Sequence, residues 1–216
     1  MTREYTLPEY GLVQPVSLTG CVTPLLPGSS VPVVFLFDEN HTIDECIEQN
    51  IANAQALIQS ASVKIIGVES HRGGYEWDDY EGKYMPFDLD RFENGENLAP
   101  VNDCPKFADC LRSSRAKVLG VESIGMVNQQ HCEFAQGGPW FGKPPKDHPL
   151  NATRSEHFIR TLLEMHTRRR LSGNLILSAG GDHNSHIEKW IADGSIENRA
   201  RQKAAYVRVR VPAYRE

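Results

Sequence analysis

No stretch of the 216 residues approaches the roughly 20 consecutive apolar residues of a membrane-spanning helix. The opening Met1-Thr2-Arg3-Glu4-Tyr5 runs into Pro8 and Gly11 without the apolar run of about 7 to 15 residues that a signal peptide carries. Cysteine is scarce as well. Cys21, Cys46, Cys104, Cys110 and Cys132 show no Cys-x-x-Cys spacing, and an odd, scattered set is not a disulfide framework. These absences lead us to expect a cytoplasmic protein with no membrane partner. Positive charge is also short. Lys and Arg total 23 against 28 Asp and Glu, a formal net charge of -5, which argues against a nucleic-acid partner. The one basic run, Arg168-Arg169-Arg170, falls at an expected helix C-terminus, where it complements the dipole. No Gly-x-Ser-x-Gly elbow, phosphate-binding Walker loop, Gly-x-Gly-x-x-Gly fingerprint or His-Glu-x-x-His zinc motif occurs. Cysteine-based catalysis has no local support.

What remains is an ordinary globular balance, 40% hydrophobic and 24% charged, at a length suited to a single domain spanning residues 1–216. Pro8, Pro15, Pro24, Pro27, Gly20 and Gly28 crowd the first 30 residues and predict an irregular arm. Val33-Val34-Phe35-Leu36-Phe37 is a continuous apolar run, the pattern of a strand buried on both faces, and it stops at Asp38-Glu39-Asn40-His41. Thr42-Ile43-Asp44-Glu45 reads as a capping box, and Ile43, Ile47, Ile51, Ala54, Leu57, Ile58 and Ala61 recur at helical spacing behind it. A second strand over 63–68 ends in Glu69-Ser70-His71 and completes a βαβ unit with parallel strands. Lys117–Val121, ending in Glu122-Ser123, and Leu175–Ala179, ending in Gly180-Gly181-Asp182-His183, supply two more. The strings Gly67-Val68-Glu69-Ser70 and Gly120-Val121-Glu122-Ser123 coincide, which chance and strand propensity suffice to explain.

The expected fold is therefore α/β, a mostly parallel central sheet flanked by helices, with long loops at the C-terminal edge of the strands. Residues 72–103 and 126–152 read as loop insertions at that edge, where loops of such length serve as lids or binding walls. A second capping box, Thr153-Arg154-Ser155-Glu156, opens a helix carrying Phe158, Ile159, Leu162 and Leu163 to about Leu171. Residues 184–205 read as helical, and 206–211 alternate like a half-exposed final strand.

Ligands of open α/β sheets bind outside the carboxyl ends of the strands. Four strands deliver an acid or a histidine there: Glu39 with His41, Glu69 with His71, Glu122, and Asp182 with His183. Taken singly, a strand-end acid more often caps the next helix. Together they suit either an acid/base pair or a divalent-metal site, for which Glu39, His41, Asp182 and His183 are the candidate ligands. Gly180 and Gly181 suit a tight turn and a ligand close to the backbone. Arg154, read in the first turn of its helix, opposes the dipole and so becomes a candidate for binding an anionic group or orienting a carboxylate, against the alternative of a surface salt bridge. His186, three residues after His183, is an additional candidate, whereas His131, His148, His157 and His166 lack partner spacing.

The order of Asp38-Glu39-Asn40-His41, Gly67-Val68-Glu69, Asn151-Ala152-Thr153-Arg154-Ser155-Glu156 and Gly180-Gly181-Asp182-His183 resembles the superfamily joining erythromycin esterase-like hydrolases, ChaN haem-binding lipoproteins and TraB/Tiki proteins. The resemblance covers roughly residues 33 to 190. It implies a parallel-sheet α/β domain that cleaves esters or peptides with His and Glu, sometimes with a divalent metal, or that binds haem. By that resemblance Glu39, His41, Glu69, Arg154 and His183 carry over as site residues. The chain departs from it in having Asp38 where the family has Gly, an acid that would add a metal-binding oxygen or crowd the site. It is also shorter than the esterases. Gly-Gly-Asp-His also occurs in arginase-like ureohydrolases, where that His binds manganese, but their Asp-x-His-x-Asp and Asp-x-Asp motifs are missing here.

The leading expectation is a hydrolase acting on a small ester or amide. His41 and His183 are its candidate general bases, Glu39 and Glu69 orient water or hold Mn, Zn or Fe, and Arg154, Glu122 and His71 contact substrate. Trp77, Tyr80, Trp140 and Phe141 would supply specificity. The alternatives are a haem- or metal-binding protein without turnover, with Tyr75, Tyr80 or Tyr84 as axial ligands, and a non-catalytic interaction domain. The expected partner is a small molecule, and no feature of the sequence fixes an oligomeric state.

Overall fold

The computed structural model describes residues 1–40, 42–71, 75–78, 83–86, 116–168 and 173–215. The chain opens with three strands, β1 (Thr2–Leu7), β2 (Leu12–Thr19) and β3 (Cys21–Leu26), followed by β4 (Val33–Glu39), α1 (Asp44–Ser60) and β5 (Val63–His71). Next come β6 (Tyr75–Asp78) and β7 (Lys83–Pro86), β8 (Lys117–Glu122), α2 (Ile124–Phe134), α3 (Leu150–Arg168), β9 (Asn174–Gly180), α4 (Gly181–Ala192), α5 (Ile196–Ala200) and β10 (Ala205–Arg210). Six strands form the central sheet in the order β3-β10-β4-β9-β5-β8, all parallel except β3, which runs antiparallel to β10. The protein is thus an α/β fold with a mostly parallel sheet flanked by helices, beside the small β1–β2 hairpin.

The apolar run of β4 is buried on both faces, as its lack of alternation predicts. Val33, Phe35 and Phe37 meet Ile47, Ile51, Ala54 and Leu57 of α1 on one face. Val34 and Leu36 meet Phe158, Ile159, Leu162 and Leu163 of α3 and Ile187 of α4 on the other. Each such side chain contributes about 1.5–3 kcal/mol relative to exposure. Gly67 makes the second face possible, because a Cβ there would lie 2.9 Å from Val121 and 3.1 Å from Leu162.

Four expectations need correction. Residues 1–30 are not an irregular arm. They form β1, β2 and β3, and Leu7, Tyr10, Val16 and Leu18 join the core cluster built on α1. Their prolines are tolerated because Pro15 lies in a two-stranded sheet and Pro24 in an edge strand, where an amide with no ladder partner is acceptable. Asn53 of α1 ties the hairpin down, accepting from the Thr19 amide at 2.7 Å and donating to its carbonyl at 2.9 Å.

Neither capping box forms. Thr42 donates its hydroxyl to Asn40 Oδ1 at 2.6 Å, and Asp44 and Glu45 meet the α1 dipole instead. Helix α3 starts earlier, at Leu150, whose amide donates to His148 Nδ1 at 3.1 Å, so Arg154 sits a full turn inside the helix. Residues 126–152 are not a loop insertion throughout, because α2 occupies their first part. The last strand, β10, is an interior strand and is buried along Ala205–Val209, because Ala205, Val207 and Val209 join the cluster under α1 on one face while Tyr206 packs in the cluster on the other and Arg208 is held there by Asp38 and Gly181.

Of the 72–103 insertion, Tyr75–Asp78 and Lys83–Pro86 pair as antiparallel strands. The remainder, with Tyr80 and His41, lies outside the described residues, as do the side chains of His71, Tyr75, Trp77 and Tyr84.

Candidate functional site

The sheet order creates a crevice between β4 and β9. After β4 the chain crosses through α1 to β5 on one side, whereas after β9 it crosses through α4 and α5 to β10 on the other. Neighbouring strands whose connections depart in opposite directions leave a gap beyond their carboxyl ends, the usual ligand position in such sheets. A cavity of about 550 Å³ opens there, bordered by Glu39, Glu69, Arg154, Asp182, His183 and Tyr214. Among the strand-end candidates with described side chains, Glu122 is not on that border. His71 ends β5 opposite Glu122.

Arg154 organises one wall. Its Nε donates to Glu122 Oε1 at 2.5 Å, its Nη2 to Glu69 Oε1 at 3.0 Å, and its Nη1 to Gln130 Oε1 at 2.8 Å. The side chain is only 12% exposed, so it is no surface salt bridge, and it orients two carboxylates together. The repeated Gly-Val-Glu-Ser strings acquire a structural meaning here: they lie on adjacent strands, β5 and β8, and bring both glutamates to one guanidinium. Burial pushes the Glu69 carboxyl up, but His183, Arg154 and the Gly180 amide outweigh it and hold Glu69 well below the usual carboxylate range. Glu122 goes the other way. Burial, with the charge of Glu69 beside it, exceeds the pull of Arg154 and raises its carboxyl.

His183, buried in the first turn of α4, faces Glu69 Oε1 with Nε2 at 3.3 Å and Ser155 Oγ with Nδ1 at 2.8 Å. His186 Nδ1 approaches the same Ser155 oxygen at 3.0 Å. The two glycines ahead of His183 make room for the chain itself. Gly180 donates its amide to Glu69 Oε2 at 2.8 Å, and a Cβ on it would stand 3.3 Å from that oxygen. A Cβ on Gly181 would lie 1.9 Å from the Tyr214 hydroxyl. Neither glycine adopts positive φ, so close approach rather than a special turn explains both.

Asp38 and Glu39 are separated by strand alternation. Glu39 faces the crevice and accepts from the Ser178 hydroxyl. Asp38 faces the opposite side, fully buried, and is held by Arg208 Nε at 3.0 and 3.1 Å, Arg210 Nε at 2.6 Å and Asn184 Nδ2 at 3.0 Å. The expected extra metal oxygen or crowding acid is therefore neither. Asp182 is exposed in the first turn of α4, where its charge suits the dipole.

Among the described residues no three His, Cys, Asp or Glu side chains are grouped to hold a metal ion. Of the four expected ligands, Glu39 is engaged by Ser178 and His183 by Ser155 and Glu69, Asp182 is exposed, and His41 lies outside the described residues. Arg154 already supplies positive charge to Glu69 and Glu122.

Trp140 does not line the cavity. It packs 6.4 Å from Phe134 and 4.9 Å from His148, ring centre to ring centre, and Phe141 beside it is exposed. Sequence reasoning missed Gln130, Asn151, Ser155 and Tyr214. A signal existed for two of them, because Asn151 and Ser155, at i and i+4, are polar residues on the helix face that Phe158, Ile159 and Leu162 pattern for burial. No helix among the described residues is long and apolar enough to cross a membrane. Comparison with family models, with curated proteins and with solved structures returns no match to this chain.

Proposed function

We propose that the chain is a hydrolase of small esters or amides in which His183 and Glu69 handle the proton. The observation that carries this reading is the contact of His183 Nε2 with Glu69 Oε1, 3.3 Å apart on the wall of a 550 Å³ cavity at the switch point of the sheet. A cavity of that size falls within the roughly 300–1,000 Å³ of small-molecule sites. Water, with a pKa of about 15.7, needs a base to attack at neutral pH. His183 Nε2 takes the proton from the attacking water and returns it to the leaving oxygen or nitrogen. The Glu69 carboxylate, kept ionised by its neighbours, stabilises the imidazolium formed in between. Arg154 and the Gly180 amide hold Glu69 in place. Lys146 and Arg215 border the same cavity and offer positive charge to a developing oxyanion. The motif resemblance to esterase-like proteins points the same way, since its described residues Glu39, Glu69, Arg154 and His183 all border this one cavity.

The test is a hydrolysis screen of aryl and alkyl esters and amides with purified protein and its His183→Asn and Glu69→Gln variants. Turnover that falls about 10²–10⁴-fold in His183→Asn is the expected outcome. Absence of turnover on every substrate, or equal rates in protein and variant, overturns the reading.

A further inference from the structure

Among the described residues Ser155 is the one hydroxyl that touches two histidines, His183 and His186. It is fully buried on α3, and its oxygen has three close neighbours: the Asn151 carbonyl at 2.7 Å, His183 Nδ1 at 2.8 Å and His186 Nδ1 at 3.0 Å. A serine hydroxyl carries one proton and two lone pairs. The carbonyl can only accept, and it lies closest, so the serine proton goes to Asn151. Both lone pairs are then left for the two ring nitrogens, and each of those nitrogens must be a donor.

We infer that Ser155 and His186 are positioning residues that hold His183 with a proton on Nδ1, leaving Nε2 as the nitrogen that exchanges protons beside Glu69. His186 has a part in this beyond filling space. Its Nδ1–H occupies the second lone pair, which stops the serine oxygen from turning toward another arrangement, and its own ring stacks at 6.1 Å on Trp190. The competing arrangement would send the serine proton to His183 Nδ1. The neutral ring would then carry its proton on Nε2, donate it to Glu69, and have no free nitrogen for water. The inference rests on the hydrolase reading for its purpose but on hydrogen-bond stoichiometry for its geometry.

The two can therefore be tested apart. Nitrogen-15 NMR of the imidazole rings, recorded on the intact protein at a pH where His183 is neutral, distinguishes a protonated Nδ1 from a protonated Nε2 without any substrate. The expected result is a protonated Nδ1 and a bare Nε2 on His183, with the proton moving to Nε2 in Ser155→Ala, where Glu69 becomes its acceptor. His186→Phe keeps a ring beside Trp190 and drops the donor, and moves the same signals part of the way. His186→Asn, whose amide restores a donor, returns them. On an ester found in the screen, Ser155→Ala lowers kcat about 10²-fold with KM unchanged. A protonated Nε2 in the unmodified protein, or ring signals unmoved in Ser155→Ala, overturns the positioning role even if hydrolysis is real. A protonated Nδ1 without hydrolysis keeps the geometry and discards the hydrolase.

Discussion

Two clusters of arginine and carboxylate, each built around a buried acid, stand at the same strand ends and differ in their arithmetic. On one face Asp38 is gripped by two guanidiniums, Arg208 and Arg210, and by Asn184, and Arg208 reaches Glu188 as well. On the cavity side one guanidinium, Arg154, serves two carboxylates, and His183 also faces one of them, Glu69. The first cluster is closed, with its acid at 0% exposure. In the second, one guanidinium faces two carboxylates and an imidazole stands beside them. Complete neutralisation is what a structural cluster needs, and a shortfall supplied by histidine is what a proton-handling site needs.

Substitutions sharpen this contrast. Asp38→Asn removes the buried charge that Arg208 and Arg210 share and is expected to cost about 3–5 kcal/mol in denaturant unfolding, the largest effect of the set; a cost under 1 kcal/mol would equate the two clusters. Arg154→Lys keeps the charge but loses the fork, and is expected to cost about 1.5–3 kcal/mol through its charged hydrogen bonds. Gly181→Ala drives a methyl into Tyr214 and should cost about 1–3 kcal/mol, partly recovered in the Gly181→Ala, Tyr214→Phe double variant. Such recovery would show that the tail residue, not the backbone, sets the requirement.

Acid should act on the cavity cluster through Glu69. Its folded-state pKa is depressed from the ordinary 4.5, so its contribution is fully present above that value and is lost as pH falls below it toward the folded value. Unfolding free energy followed downward from pH 5 should therefore drop less steeply in Glu69→Gln than in the unmodified protein; parallel curves would remove Glu69 from the linkage. The smallest effect is expected for Glu122→Gln, within about 1 kcal/mol, because burial already disfavours that charge and a carboxamide still accepts from Arg154.

The parallel strands and their polar ends were legible in the sequence because β4, β5, β8 and β9 carry short apolar runs that stop at acids. The N-terminal strands were hidden by prolines that are tolerated only because of where β2 and β3 lie, a fact about neighbours rather than about local preference. Helix starts misled for a similar reason: His148, two residues outside α3, caps it better than Thr153, and no local spacing announces that. At the site, Glu69 and His183 could be named from position, but the Arg154 clamp needed β8 to lie beside β5. Asp38 could not be separated from Glu39 without knowing which faces Arg208 and Ser178 occupy.

The two consecutive acids of β4 also bear on strand register. A run of five apolar residues buried on both faces would pack almost as well after a shift of one position, so its hydrophobicity does little to define alignment. Asp38 and Glu39 would not survive that shift, since it would turn the aspartate toward Ser178 and press the longer glutamate into the Arg208–Arg210 nest. The end of the strand therefore acts as a locating pin for its middle, and the residues that border the cavity also select, among near-equivalent pairings, the one in which the cavity exists.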